Sequence, residues 1–257
     1  MTLNAKTFGI VSAILFLTLI YTLPVLCTRV VADNKTITLA TLPWEPFYGP
    51  DLEDEGYLTA LAREAFKRAG YNCEIKYMPW NRALELSKKG KYDGALGIFY
   101  NEDRARFFEF SSPLDESRMT FFTKTGKTIN YKNLRDLKQY KIGQVLGYHY
   151  TEEFNTATYL TKYKSYSTEV NVNLLLRDKI DMLIASEKVM TYLINNKFPK
   201  HKPIFKKIYP QLISNKLHIS ISKKKNGAKQ IINDFNRELE NMKKDGTFNK
   251  IKKKHGF

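Results

Sequence analysis

The chain has 257 residues, with 42 Lys and Arg against 26 Asp and Glu and a formal net charge of +16, long enough for a sizeable core in one domain or in two lobes. Its two cysteines and four scattered histidines give neither a disulfide framework nor the ligand spacing of a zinc site. The positive charge comes with no helix-turn-helix or zinc-finger pattern, so it reads as a solvated surface favouring anionic solutes or an anionic envelope, and nucleic acid is not an expected partner.

The first 32 residues have the pattern of an export signal. Lys6 provides a positive start, residues 8–20 form an uncharged apolar run, and residues 21–27 extend it weakly past Pro24. Val30-Val31-Ala32 places tolerated residues at the cleavage positions, so the cut is expected after Ala32. Two other readings stay open. Residues 8–26, left uncut, are long enough to anchor the chain in a bilayer. Residues 23–27 also resemble a lipoprotein box, with bulky Leu26 where a small residue is usual. Cleavage after Ala32 removes Lys6 and Arg29, which lowers +16 to +14. It also removes Cys27, leaving Cys73 alone as a buried apolar residue.

Residues 36–42 alternate and are rich in Thr, Ile and Leu, which predicts a strand. Trp44-Glu45-Pro46-Phe47 follows as a loop, because Pro46 cannot continue a ladder. Leu58, Leu61, Ala62, Ala65, Phe66 and Ala69 recur at helical spacing, and Gly70 stops that helix. A strand over 73–77, a helix over 80–89 and a mostly apolar strand over 93–99 come next. A short polar turn then delivers Arg104, ahead of an apolar strand at Phe108-Glu109-Phe110 and of Pro113. A second set begins near Lys141, with a strand over 141–146 ending at Gly147 and a helix within 148–159. An extended stretch at 165–167, a helix over 170–177, a strand over 179–186 and a helix over 187–195 complete it. A strand over 217–222 and a long amphipathic helix, with Ala228, Ile231, Ile232, Phe235, Leu239 and Met242 on one face, close the chain. Strands alternating with helices argue for a parallel sheet covered on both faces. Two similar α/β units would join by crossings near 121–124 and 208–212, with the last segment returning to the first. Ligands would bind outside the carboxyl ends of the strands, facing the cleft.

Arg104 is the candidate with the most specific chemistry, since a guanidinium offers a planar fork of donors matching two carboxylate oxygens. The bland reading makes it a solvated turn residue.

Several segments carry a family resemblance. They are Trp44-Glu45-Pro46-Phe47 after a strand, the spacing L-x-x-L-A-x-x-A-F-x-x-A-G from Leu58, and Trp80 to Gly90. The run from Asp93 through Arg104 to Phe110-Ser111-Ser112-Pro113 adds to them, as do Gly147 after a strand, Ile219 to Lys224, and Asp245-Gly246-Thr247. In that order they resemble the bacterial family 3 extracellular solute-binding proteins of the amino-acid type. The resemblance implies an α/β, two-lobed periplasmic-binding-protein fold (type 2), each lobe a mixed sheet flanked by helices, with two hinge crossings. The expected division is a first lobe over 33–122, a second over 123–210 and a return over 211–257. The implied function is capture of a small carboxylate-bearing solute, an amino acid or a related compound, and its delivery to the membrane subunits of an ABC transporter. The implied protein is a periplasmic monomer that needs no cofactor and no metal.

The resemblance also implies residue roles. Arg104 would grip the ligand carboxylate and Trp44 would pack against the ligand. Gly97, Phe99 and Tyr100 would line the same wall, and Trp80 a further one. Tyr148 follows the second-lobe glycine, and Glu187 stands near the place of the acid that grips a ligand ammonium. Trp44, Trp80 and Phe99 each have a plain structural reading as surface or core aromatics. This chain also departs from the family pattern. Bulky Phe99 and Tyr100 stand where small hydroxyl residues are usual. Tyr148-His149-Tyr150 replaces the Ser or Thr after the glycine, and Glu187 is offset by one residue, which redirects a side chain. The ligand is therefore open between an α-amino acid, another carboxylate, and a peptide-like or aromatic compound. An exported dehydratase-like enzyme is the competing reading, with Glu45, Glu187 and His149 as acid–base candidates. A third is a sensory module held by an uncleaved N-terminal helix.

Overall fold

The computed structural model describes residues 35–257. The expected export segment, its anchor and lipoprotein alternatives and the cleavage position after Ala32 lie outside the described residues. No helix among the described residues is long and apolar enough to cross a membrane.

The chain opens with β1 (Lys35–Thr41), whose Ile37, Leu39 and Ala40 are buried. Helix α1 (Tyr57–Arg68) buries Leu58, Leu61, Ala62, Ala65 and Phe66 along one face and ends in Lys67 and Arg68, where cations suit the negative end of the helix dipole. Strand β2 (Tyr71–Tyr77) returns parallel to β1, with Lys35 opposite Tyr71 and Thr41 opposite Tyr77. Helix α2 (Trp80–Lys88) leads to β3 (Gly94–Phe99), parallel to β1 on its other side. Parallel neighbours need such crossovers, because a tight turn can only reverse the chain. Cys73 is buried in β2, and burial pushes its thiol up to about 12, so it behaves as an apolar residue.

The turn expected before Arg104 is a single helical turn, α3 (Glu102–Ala105). Asn101 caps it, its side-chain oxygen accepting the Arg104 N–H at 2.8 Å. After β4 (Phe108–Phe110) comes β5 (Asp115–Lys124). The second set follows as β6 (Lys141–Val145), α4 (Glu152–Thr156), β7 (Thr161–Ser165), α5 (Thr168–Leu176), β8 (Met182–Ser186) and α6 (Glu187–Asn196). The chain ends with β9 (Phe205–Ser222), α7 (Ala228–Lys244) and α8 (Thr247–Lys254).

The strands form one sheet in the order β2-β1-β3-β9-β5-β8-β6-β7, with β4 also on β9. The outer strands at each end run parallel, whereas β5 and β9 are antiparallel to each other and to their neighbours. The sheet is therefore mixed, parallel at both ends and antiparallel through β9 and β5, not parallel throughout as alternation alone suggested. We call the β1–β4 end with α1, α2, α3, α7 and α8 the first lobe, and the β6–β8 end with α4, α5 and α6 the second. Strands β5 and β9 run through both.

Strand β9 is much longer than the expected 217–222. Its first half is largely exposed, so it lacks the apolar alternation that marks a half-buried strand. The ladder to β5 holds it. That ladder shifts register between Met119, opposite Ile213, and Phe121, opposite Ile208, leaving residues 209–212 as a bulge. The expected strand over 179–186 begins only at Met182, after Asp178 turns the chain at φ 56°. The extended stretch expected at 165–167 ends earlier, because Ser167 caps α5 by accepting the Val170 N–H. Finally, α7 packs back on α1, with the Phe66 and Phe235 rings 4.8 Å apart.

Candidate functional site

Arg104 is 7% exposed, although a solvated turn would leave it in water. The cap at Asn101 fixes its backbone, and its guanidinium then points back along β3. Nη1 donates to the Phe99 carbonyl at 2.8 Å and Nη2 to the Gly147 carbonyl at 3.0 Å. Burial pulls the group down to about 10, so it is still protonated at neutral pH. Among the described residues it has no carboxylate partner. The guanidinium carbon lies 5.7 Å from the centre of the Trp80 ring, within reach of a cation–π interaction.

Trp80 opens α2 directly after Pro79, and its indole N–H also donates to the Gly147 carbonyl, at 3.0 Å. Gly147 ends the loop after β6 with φ 80°. A Cβ there would sit 3.2 Å from the Asn81 side chain and 3.3 Å from Trp80, so the close approach of the two lobes suits glycine. The following Tyr148 places its ring edge-on to Trp44, at 6.3 Å, and to Trp80, at 6.4 Å, a favoured aromatic geometry. Tyr148 is part-exposed, yet desolvation holds its phenol well above the ordinary range.

Trp44 stacks on Phe47 at 4.8 Å and is 4% exposed. Its buried indole nitrogen has no protein acceptor among the described residues. Gly97 has φ 76°, and a Cβ there would fall 2.1 Å from the Tyr48 phenol oxygen. Glycine lets β3 bend, shifting its register between Leu96 and Ile98, and lets Tyr48 pass beneath. His149 pairs its Nδ1 with the Asn155 amide at 2.8 Å. Burial, and then the charge of Arg104, lower its pKa.

These side chains surround a cavity of about 20 Å³ lined by Leu42, Trp44, Tyr48, Trp80, Gly97, Phe99, Arg104, Tyr148 and His149, about the room one water needs. Beside it, sharing Leu42 and Trp44, lies a chamber of about 420 Å³. The first lobe contributes Pro43, Glu45 and residues 77–79 to its wall. The second lobe contributes residues 166–169, Val189, Leu193 and Lys197.

The structure thus brings together Arg104, Trp44, Trp80, Gly97, Phe99 and Tyr148. It does not bring Tyr100 or Glu187 to them. Tyr100 is 55% exposed and packs edge-on to Phe110 at 5.1 Å, because it follows the last residue of β3 and successive side chains alternate. Glu187 starts α6 and bonds Lys207 of β9 at 2.9 Å. It lines a separate groove with Asp115 and Lys188. Of the acid–base candidates, Glu187 lies in that groove, away from Glu45 in the chamber and His149 in the adjoining small cavity. Tyr48, Tyr77, Tyr166, Glu169 and Lys197 are wall residues that sequence reasoning did not single out. Tyr48 belongs to the same aromatic cluster as Trp44 and Phe47, which was the available signal. The others come from separate segments and share no motif. Among the described residues, no group of three or more His, Cys, Asp or Glu could hold a metal ion.

Residues 37–257 match the family model described as bacterial extracellular solute-binding proteins, family 3. A probable histidine-binding protein of Campylobacter jejuni is 26% identical over 231 residues, which cover 86% of each chain. The L-cystine-binding protein TcyJ of Escherichia coli is 26% identical over 113 residues, and the matched stretch spans 44% of this chain and 42% of that protein. Among solved structures, an ancestral arginine-binding protein bound to arginine superposes with a TM-score of 0.74 at 24% identity, over 87% of this chain and 99% of that one. That likeness shows the two-lobed periplasmic-binding-protein fold of type 2. With the family model matching almost all the described residues, the chain belongs to the bacterial extracellular solute-binding proteins, family 3.

Proposed function

We propose that this is an exported binding protein, with no catalytic role, that captures a small carboxylate-bearing solute between its lobes and hands it to the membrane subunits of an ABC transporter. The observation that carries the reading is Arg104. A nearly buried guanidinium without a carboxylate partner among the described residues is costly. A ligand carboxylate would supply the missing countercharge, and such a charged hydrogen bond contributes about 1.5–3 kcal/mol. The names of the Campylobacter jejuni and Escherichia coli relatives, histidine- and L-cystine-binding, support an amino acid or a related compound. Glu187 lies in a groove away from Glu45 and His149, which favours binding over catalysis by that acid, because a general base must reach the proton it takes.

The lobe boundaries we propose are 33–122, 123–210 and 211–257. Strands β5 and β9 pair with each other, β9 also with β3 of the first lobe and β5 with β8 of the second, and would serve as the hinge. Closure would bring Arg104 and Trp80 onto Gly147. The N-terminal signal pattern supports export and a periplasmic site of action.

The test is a thermal-shift screen of residues 33–257 against amino acids and other small carboxylates, with Arg104→Ala alongside. A ligand at one hundred times its dissociation constant adds about 2.7 kcal/mol. A compound that shifts the wild type and not the variant supports the reading. Equal shifts in both refute the role of Arg104, and conversion of a bound compound refutes the absence of catalysis.

A further inference from the structure

We propose that the solute is a cationic amino acid, with its carboxylate at Arg104 and an aliphatic stem leading to an ammonium or guanidinium in the larger chamber beside Glu45. This rests on the binding-protein reading above and goes further by naming the solute's class.

Size comes first. The cavity at Arg104 measures about 20 Å³, while the chamber that shares Trp44 and Leu42 with it measures about 420 Å³. A solute anchored at Arg104 has its room in the adjoining chamber. Leu42, Met78, Val189 and Leu193 in the chamber wall suit a stem of methylene groups.

Charge comes second. The charged side chains lining the chamber are Glu45, Glu169 and Lys197, a net −1, in a chain of +16. Lys197 is already bonded to Glu169 at 2.6 Å. Glu45 has no hydrogen bond or ion pair from its side chain to another described residue, and it is only partly exposed. Its charge reaches across the cleft, since the pKa of Lys197 is raised first by the Glu169 hydrogen bond and in smaller part by Glu45. One carboxylate is thus left to meet a cation from the solute.

Aromatic faces come third. Trp44, Tyr77 and Tyr166 line the same chamber, and a cation over such faces is attracted by the ring quadrupole. Tyr77 already spends its hydroxyl on Glu55, at 3.1 Å, so its ring is what it offers the chamber. Trp44, which lines both cavities, also carries a buried indole N–H with no acceptor among the described residues. Carboxylates among aromatic rings suit a cation, whereas a neutral apolar stem would leave Glu45 without a partner and an anionic one would meet like charge.

The experiment is titration calorimetry of residues 33–257 with L-arginine, L-citrulline and L-norleucine. Citrulline keeps the shape of arginine without the charge. The proposal expects arginine to bind at least 10-fold more tightly than either neutral compound. Glu45→Gln, which keeps the side-chain volume, should remove that preference, and Glu169→Gln should reduce it. Arg104→Ala should weaken all three compounds together. If the neutral compounds bind as well as arginine and still depend on Arg104, the cationic class is wrong and the binding-protein reading stands. If arginine binds and Arg104→Ala has no effect, the anchoring reading fails with it. If arginine is preferred and Glu45→Gln leaves the preference unchanged, the chamber assignment is overturned.

Discussion

Arg104 of the first lobe donates from Nη2 to the carbonyl of Gly147 in the second, 3.0 Å away, and Trp80 donates to the same oxygen at 3.0 Å. Two side chains of one lobe thus grip one backbone atom of the other. The acceptor is a main-chain atom, so no single substitution at Gly147 removes it. The donors are open to test.

Trp80→Phe keeps an aromatic ring and removes one of the two donors. A neutral hydrogen bond of this kind contributes about 1 kcal/mol, so affinity for the solute should fall about 5-fold. Titration calorimetry measures the affinity, and a thermal melt without ligand checks that the variant is folded. Unchanged affinity would show that the Trp80 contact does not hold the closed form.

Gly97→Ala should destabilise the first lobe by about 2 kcal/mol, a size typical of forcing a side chain into a positive-φ position. The added Cβ would also meet the Tyr48 oxygen at 2.1 Å. Pairing it with Tyr48→Phe should recover part of the loss, because the phenol oxygen is the nearest obstacle. Urea denaturation of the single and double variants reads both effects. Full recovery would mean that neither backbone strain nor the Tyr48 ring carbons, 2.5 and 2.6 Å from the added Cβ, contribute.

Asp115 supplies a pH dependence. Burial alone would raise its carboxyl, but the Tyr57 hydroxyl, the Glu116 N–H, Lys188 and Lys252 more than offset this and hold it below the usual carboxylate range. Its folded pKa lies below its unfolded value of about 3.9. The contribution is therefore fully present above about pH 4 and is lost as pH falls through the lower, folded value. Asp115→Asn should destabilise the protein at pH 7 and flatten this part of the acid limb. Chemical denaturation at pH 7 and at pH 3 measures the difference, and an equal deficit at both would rule out the linkage.

Phe235→Ala should cost about 3–5 kcal/mol, the range for truncating a buried aromatic side chain. Phe235 is fully buried on α7 and lies 4.8 Å from Phe66 on α1, so it fastens the C-terminal return to the first lobe. Calorimetric melting checks this, and a loss under 1 kcal/mol would mean that α7 is held chiefly by other contacts.

The legibility of the fold followed the burial of each element. Helices α1 and α7 each bury one face, so Leu58, Leu61 and Phe66, or Ile231, Phe235 and Leu239, recur at helical spacing. The first half of β9 buries only Ile208. It is a strand because β5 pairs with it, and pairing between distant segments leaves no local period.

For the site, Arg104 was legible from chemistry and from its place after an apolar strand, with Trp44, Trp80 and Gly97 in segments that resemble the family. Tyr100 and Glu187 were adjacent to the right segments, but a one-residue alternation turned Tyr100 outward, and a lysine from distant β9 took Glu187. The chamber residues Glu45, Tyr77, Glu169 and Lys197 come from both lobes. Sequence alone determined the elements with a buried face and the charged group able to anchor a carboxylate, because both are properties of short segments. Tertiary structure decided which charges already had partners and where the free volume lay. Those are properties of contacts between distant segments, made only when β5 and β9 carry the chain across and the lobes meet.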